Sequence, residues 1–596
     1  MERKGRQLKK NAAFFPLLLL CLVISQSGAP VSAGLTDGNA PRVNVLEAHC
    51  DGRNRDSAAI AAAIDHVPQD EKAVLVLKPG VWTVTGKLVI PANISLQIEE
   101  GAVLDVDFGS SIVIDGAIEA GQHQIFSGAG GTVFRNDSQE ALPLWWKDKI
   151  ARYYDYAIQR ALSSGARTVF FPEGTYEVAV NVYAGKPLEV PGNIRIRGVS
   201  GRSVIQVAET PRTDNLWAGK DLFTGKNREN VEISGLTFDA EKFYPDPEIT
   251  SRQDPSIRGT RAIHLDHVNN LRIVDCRFQG FTNGSVYVNG NNITLDRNTF
   301  HHGSYRTQTV RLDGSTNVTV SNNIFEDNGP HHYMVLGRPL ETSSTDALMV
   351  GYHVENASII NNKIKNSSGC GIRVEMSNNV SVSGNIIQDV GQDGITFYFK
   401  NRDCKCIGNV ISSWGKLNNF GYLRRQNGKI YNPKEYHYPP SASPQLPKKL
   451  ENAATWELNR YYLQKRDESS IPEYDPADYK NALAFRGFSG ISVTELSQDI
   501  TIDGNKITGN TSKTGGFFNY ASNYGINIGV HNVNPPTSSG NCIISNNTIS
   551  DCIDYDLYCP QYVDPTSMRG VAMPSKVYGN IYNSSKALFY YQKNGE

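Results

Sequence analysis

The sequence predicts an all-β chain wound as a single-stranded right-handed parallel β-helix with short capping helices, and three observations predict it. One apolar phrase with Asn at a fixed place recurs along the chain, and a second short apolar alternation keeps the same beat. Where copies follow each other most closely, they do so at roughly two dozen residues, the length of one compact coil.

The phrase is an apolar residue, a second one two places on, Asn at the fifth place after the first, and Ile or Phe at the seventh. Ile293, Leu295, Asn298 and Phe300 make one copy, and Val380, Val382, Asn385 and Ile387 another. Asn323, Asn362, Asn409, Asn505 and Asn547 hold the same place in further copies, while Leu236 and Cys276 occupy it in two earlier ones. Alternation at period two marks a strand with one buried face. An Asn at a constant place marks a turn where its amide bonds backbone groups, so stacked copies form a ladder.

The second strand starts at Ile263, Val286, Val310, Leu348, Ile372, Ile395, Ile491 and Ile526. Its first and third residues point inward, and its second and fourth face water.

Upstream, two segments read as duplicated entry modules. The first runs Asp51, Gly52, then Ala59, Ile60, Ala63 and Ile64, then Pro79 to Trp82, then Pro91, Asn93 and Ile94. The second runs Ala157, Ile158, Ala161 and Leu162, then Pro172, Gly174 and Tyr176, then Pro191, Asn193 and Ile194. Each is a short amphipathic helix followed by strands, and such a helix caps an open coil end against edge pairing. The expected organisation is a signal peptide over 1–33, an entry region over 34–215, and a main helix over 216–596 with an insertion at 412–484.

In these motifs the chain resembles the pectate-lyase-like superfamily of parallel β-helix proteins, whose entry segment has a DG turn, an AI-rich helix, a PxGxY strand and a PxNI strand. The resemblance covers most of the mature chain and implies the pectin-lyase-like solenoid. It implies no single activity, because related proteins include polysaccharide lyases, glycoside hydrolases, epimerases and non-catalytic surface proteins. A polygalacturonase-like set would have a second Asp where Gly394 follows Asp393, and a Gly before His302 and Gly303. The RxPxxR of pectate lyases and the DPH turn of alginate epimerases are absent.

Fifty-nine basic against sixty acidic residues leave a net charge of −1, which removes the electrostatic case for nucleic acid as the main partner. A basic start, an apolar run from Phe14 to Ile24 and small residues up to Ala33 read as a secretory signal, with mature protein from about Gly34. That run is too short to span a bilayer comfortably, and no later stretch is apolar enough to anchor, so a secreted, periplasmic or cell-surface protein is expected. Of the cysteines beyond it, Cys404, Cys406 and Cys542 fall on core positions, and Cys552 with Cys559 is the one plausible local bridge.

Extensions at 240–260, 331–346, 412–484 and 511–523 all occur just before the second strand. In a stack, insertions at one junction pile up along one edge and wall the adjacent sheet face as a groove. The expected floor carries His264, Asp266, Tyr287, Asn289, Arg311, Asp313, Arg373, Glu375, Thr396 and Tyr398. Guanidinium forks and carboxylates bond hydroxyls or uronate carboxylates, and Tyr offers a flat face with a polar tip. The bland alternative is a solvated face with Arg311 paired to Asp313 and Arg373 to Glu375.

Asp313 with Glu375, or Asp266 with Asp313, lie two coils apart, about 10 Å, within reach of an inverting glycosidase pair. Elimination or epimerisation on a uronate would instead use Arg311 or Arg373 at the carboxylate and His264, Tyr287 or Tyr398 as base. His301, His302, His331 and His332 lie on turns toward the same edge. The 412–484 insertion is rich in Trp and Tyr, including Trp414, Tyr422, Tyr436, Tyr438, Trp456, Tyr461 and Tyr462, and reads as a lid that stacks on sugar or as a small core of its own. No metal pairing is evident and no cofactor is indicated, although Ca2+ bridging a uronate needs only a few carboxylate oxygens. A polysaccharide substrate or ligand is the expected partner.

Overall fold

A computed structural model describes residues 42–44, 56–179, 187–208, 221–243, 261–281, 283–303, 308–329, 334–335, 338–339, 345–415, 424–426, 429–431, 488–494, 496–510, 524–528, 539–552, 555–560, 572–573, 575–583 and 588–591. Outside them lie the signal segment, Cys50, His331, His332, residues 511–523, most of 240–260 and of 331–346, the segment 451–465, and the insertion's Tyr422, Tyr436, Tyr438, Trp456, Tyr461 and Tyr462.

Apart from two short antiparallel hairpins, every described strand pairing is parallel, as it must be when each coil lays its strands beside those of the next. Three short sheets hold the strands from Arg42 to Phe134. From Glu140 a 23-stranded ladder takes two strand rows per coil, and from Gly174 a 12-stranded ladder takes the third. Both ladders continue across residue 215 through the pairings of Glu189 with Thr224 and Gln206 with Asp239.

The helix Ser57–Asp65 starts where the Asp56 carboxylate accepts from Ala59 N at 3.0 Å, and it buries Ala59, Ile60 and Ala63. The helix Asp155–Leu162 buries Ala157, Ile158, Ala161 and Leu162. It sits at the junction between the two stacks: Tyr156 OH donates to Gly128 O at 3.0 Å, and Arg160 donates to Gly130 O.

The core is a set of columns. Leu265, Val288, Leu312, Val350, Val374 and Phe397 form one, every member fully buried. Phe238, Phe278, Phe300 and Phe325 form another, with ring centroids 5.0, 5.0 and 4.7 Å apart. That matches the spacing of adjacent strands, about 4.8 Å, so in-register pairing itself stacks the rings.

The Asn ladder is made as the repeat implied. Each Oδ1 accepts the backbone N–H of its predecessor: Asn298 from Cys276, Asn323 from Asn298, and so on through Asn362, Asn385, Asn409, Asn505 and Asn547 to Asn580, at 2.9–3.0 Å. Each Nδ2 of the central members also bonds a carbonyl of the coil before, as Asn385 does to Ile359 O at 2.9 Å. Buried turns thereby keep their polar groups satisfied.

Cys404, Cys406 and Cys542 are buried in the core, as their repeat positions predict. The expected Cys552–Cys559 bridge is not made: both side chains are buried thiols with no disulfide between them, Cys552 lying against Ser550 O. Cys552 faces inward like Phe281, Val390 and Trp414, the residue after the turn of other coils, so its partner is the core. Burial pushes Cys276 and Cys404 up to about 12 and Cys559 up to about 11, which holds them protonated at neutral pH. A thermal melt with and without excess reductant is therefore expected to give one Tm; a drop of several degrees in reductant would reveal a disulfide.

Candidate functional site

Register places the expected floor on one outer face. His264, Tyr287, Arg311, Met349, Arg373, Thr396 and Ser492 are successive partners in one row. Asp313, Gly351, Glu375 and Tyr398 form the row beside it, and Asp266 and Asn289 are joined across neighbouring coils by Asn289 Nδ2 donating to Asp266 Oδ1 at 2.8 Å. Asp266 and Asp313 are two coils apart, and so are Asp313 and Glu375. Met349 and Gly351 put an uncharged coil between the Arg311 and Arg373 pairs.

Both intrastrand ion pairs that the sequence allowed are present. Arg311 Nε donates to Asp313 Oδ2 at 2.8 Å, and Arg373 Nη2 lies 2.7 Å from Glu375 Oε2. Each guanidinium also covers an aromatic ring: Arg311 stands 5.6 Å from Tyr287 and 5.1 Å from Tyr352, and Arg373 stands 4.4 Å from Tyr398. These contacts fix the planes of both Arg side chains.

The His264 end is the richest in polar contacts. His264 Nδ1 lies 2.5 Å from Asp221 Oδ2, its Nε2 lies 3.4 Å from Asp266 Oδ1, and its ring meets Tyr287 edge-on at 4.8 Å. Arg261 reaches the same Asp221 oxygen at 3.6 Å and covers the Tyr287 ring at 5.0 Å. Tyr287 OH then donates to Asp313 Oδ2 at 3.2 Å, which links the imidazole to the second carboxylate through one ring.

Asp313 is the unusual acid here. Its Oδ2 takes the Arg311 and Tyr287 bonds, whereas its buried Oδ1 has no hydrogen-bond partner among the described residues. Burial pushes its carboxyl above the ordinary carboxylate value, against the opposing pull of Arg311. Asp266 is a third exposed, in a more aqueous setting. A depression of about 390 Å³ is lined by Glu189, Thr224, Lys226, His264 and Asp266, and one of about 490 Å³ by His267, Asn289, Asp313 and Tyr352. The two lie on either side of the Asp266–Asn289 contact.

Thr396 is nearly buried, with its Oγ1 accepting from Ser492 at 2.7 Å. Trp414 departs from the expected lid. It is fully buried, and its indole N–H donates to Phe488 O at 3.1 Å. The cause is its place directly after the turn residue Ser413, where Phe281 and Val390 of earlier coils also point inward.

Sequence reasoning missed Asp221, Arg261, Asp346 and Asp393. All four sit two residues before a floor strand, at the corner, so they escaped a reading confined to strand alternation. Asp346 is buried and 3.9 Å from Arg373; burial pushes its carboxyl up, with Arg373 pulling the other way. Asp393 accepts from Ser489 N at 2.6 Å and Ser492 Oγ at 3.0 Å. A charged residue recurring at that offset was the available signal.

Comparison with curated proteins finds no match to this sequence. The family model described as a right handed beta helix region matches residues 261–426. Among solved structures, the A-module of mannuronan C-5 epimerase AlgE6 from Azotobacter vinelandii aligns over 76% of this chain and 98% of its own, at 14% identity and a TM-score of 0.39. The surface protein and adhesin PfbA of Streptococcus pneumoniae aligns over 74% and 96%, at 14% identity and a TM-score of 0.38. The enzymatically active domain of tailspike protein 2 from bacteriophage CBA120 aligns over 70% and 48%, at 13% identity and a TM-score of 0.40. No helix among the described residues is long and apolar enough to cross a membrane. With its parallel ladders in register and its matched coil region, the chain is a right-handed parallel β-helix protein.

Proposed function

We propose that the protein is an exported carbohydrate-active enzyme that hydrolyses a polysaccharide laid along the outer face between Asp266 and Asp313. One observation carries this reading: two carboxylates share a face two coils apart, about 10 Å, in unlike surroundings. The buried Asp313, whose pKa is raised, acts as acid and gives its proton to the glycosidic oxygen as the bond to the anomeric carbon breaks. Asp266 takes a proton from the water that attacks the opposite side of that carbon, and with leaning side chains the gap suits an inverting pair. Tyr287 and Asn289 occupy the coil between them and bond one acid each, which fits a role in positioning both acids and sugar.

His264, held by Asp221 and set against Tyr287, favours a second reading: proton abstraction from a uronate, with Arg261 or Arg311 at its carboxylate. Arg373, Glu375 and Tyr398 then extend the binding face in either case.

Incubation of the full chain with a panel of neutral and uronate polysaccharides tests these readings. Hydrolysis releases reducing ends without ultraviolet absorbance, elimination releases unsaturated uronates that absorb, and epimerisation changes the uronate ratio by NMR. Saturable binding with none of these products would overturn the enzymatic reading in favour of a glycan-binding surface protein.

A further inference from the structure

Away from the floor, Glu241, His301 and His302 converge on one point. His301 ends the strand Thr299–His301, and His302 follows it in the left-handed region at φ 49°. Continued alternation would send these neighbours to opposite faces. The left-handed turn instead lays the two rings side by side, with centroids 3.7 Å apart. The same turn position is filled by Gly280, Asp327, Asn366, Asp389, Ser413 and Asp551 in other coils, so His302 alone among these is an imidazole.

Glu241 comes from two coils earlier, at the start of the 3-10 turn Glu241–Phe243. Gly280 makes its approach possible: a Cβ there would stand 2.5 Å from Glu241 N, in contact with backbone that cannot give way. As a result Glu241 Oε1 lies 3.2 Å from His302 Nδ1 and 3.8 Å from His301 Nδ1. Asp327 Oδ2 stands 3.5 Å from His301 Nε2, on the other side of that ring. His301 Nδ1 is buried and makes no hydrogen bond among the described residues.

Two imidazole nitrogens and a carboxylate oxygen, all within 4.8 Å of one another, are a ligand set for a metal of borderline softness. Zinc bonds of about 2.0–2.2 Å in tetrahedral geometry need ligand atoms roughly 3.4 Å apart, close to the spacing found. A carboxylate on the opposite ring nitrogen is the usual outer partner of a metal-bound histidine, because it fixes which nitrogen carries the proton. Calcium and magnesium prefer all-oxygen sets and suit this one poorly.

We propose that Glu241, His301 and His302 bind a divalent transition-metal ion of the zinc type, with Asp327 orienting His301. Such an ion ties together two coils that share no direct strand pairing, at positions adjoining residues 244–260 and 304–307 in the chain.

The test uses the full chain without a polyhistidine tag, stripped by chelator dialysis and titrated with Zn2+ against a chromophoric chelator. One equivalent is expected to bind, with H301A/H302A weakening it at least 100-fold. E241Q and D327N are expected to weaken it about 10- to 100-fold. Glu241 is exposed, so E241Q is expected to keep the wild-type unfolding curve and thus to read the site apart from the fold. Unchanged Zn2+ affinity in E241Q or in the double histidine variant would overturn the assignment, as would displacement of Zn2+ by equimolar Ca2+.

Discussion

Asp313→Asn is expected to lower kcat/KM on the responsive polysaccharide about 10²- to 10⁴-fold, the contribution of a general acid, with little change in KM. The pH profile sharpens the expectation. A group that must be protonated to act loses activity as pH rises through its folded pKa, and burial sets that pKa of Asp313 above the ordinary 3.8. The alkaline limb of the wild-type profile should therefore vanish in the Asn variant. Stability follows the same sign. Because the folded pKa is raised, the contribution of Asp313 is fully present below the unfolded pKa and is lost as pH rises through the folded one. The Tm of the Asn variant minus that of wild type should thus grow more positive from pH 3 to pH 7. A variant that kept full turnover, or its alkaline limb, would remove Asp313 from the chemistry.

Asn385→Ala is expected to cost on the order of 5 kcal/mol of stability, because several buried groups lose their partner at once. Asn385 Oδ1 accepts from Asn362 N and Nδ2 at 2.9 and 3.0 Å, and its Nδ2 donates to Ile359 O and Asn409 Oδ1 at 2.9 Å each. Alanine supplies none of these and adds a void in a site that is fully buried. The contrasting substitution is Asn379→Gly, in a second and solvent-exposed ladder that joins Asn292, Asn317, Asn356 and Asn379 side chain to side chain. There Asn379 Nδ2 donates to Asn356 Oδ1 at 2.7 Å in solvent, and glycine keeps the left-handed φ of 53°, so the loss should stay under about 1 kcal/mol. Denaturant midpoints of the two variants check the difference. Equal losses would mean that the inner ladder is no more than decoration.

The fold was legible because two periods coincide in the sequence, the alternation within a strand and the coil-length return of Asn. Asn298 to Asn580 bond as that return requires, and Arg311 and Arg373 share a row as equal strand positions require. The floor residues were legible for the same reason. Asp221, Arg261, Asp346 and Asp393 were not, because corners obey turn geometry and carry no period-two mark. Trp414 was misplaced because its aromatic character suggested stacking on a ligand, whereas the position after the turn decides that it packs inside. Glu241 with His301 and His302 was invisible for a third reason: their meeting depends on a glycine-permitted backbone approach between coils that are not neighbours.

The neutral coil at Met349 and Gly351 gives the outer face a graduated scale. Fixed cations recur at Arg311 and Arg373 every second division, about 10 Å apart, with none at the mark between. If the face takes a polysaccharide as proposed, an anionic chain whose charges match that interval would meet both marks at once, each Arg turning from its Asp313 or Glu375 partner, and one of mismatched repeat would meet a single mark. Met349 is itself buried at the intervening mark, so Met349→Arg would halve the interval and is also expected to cost stability.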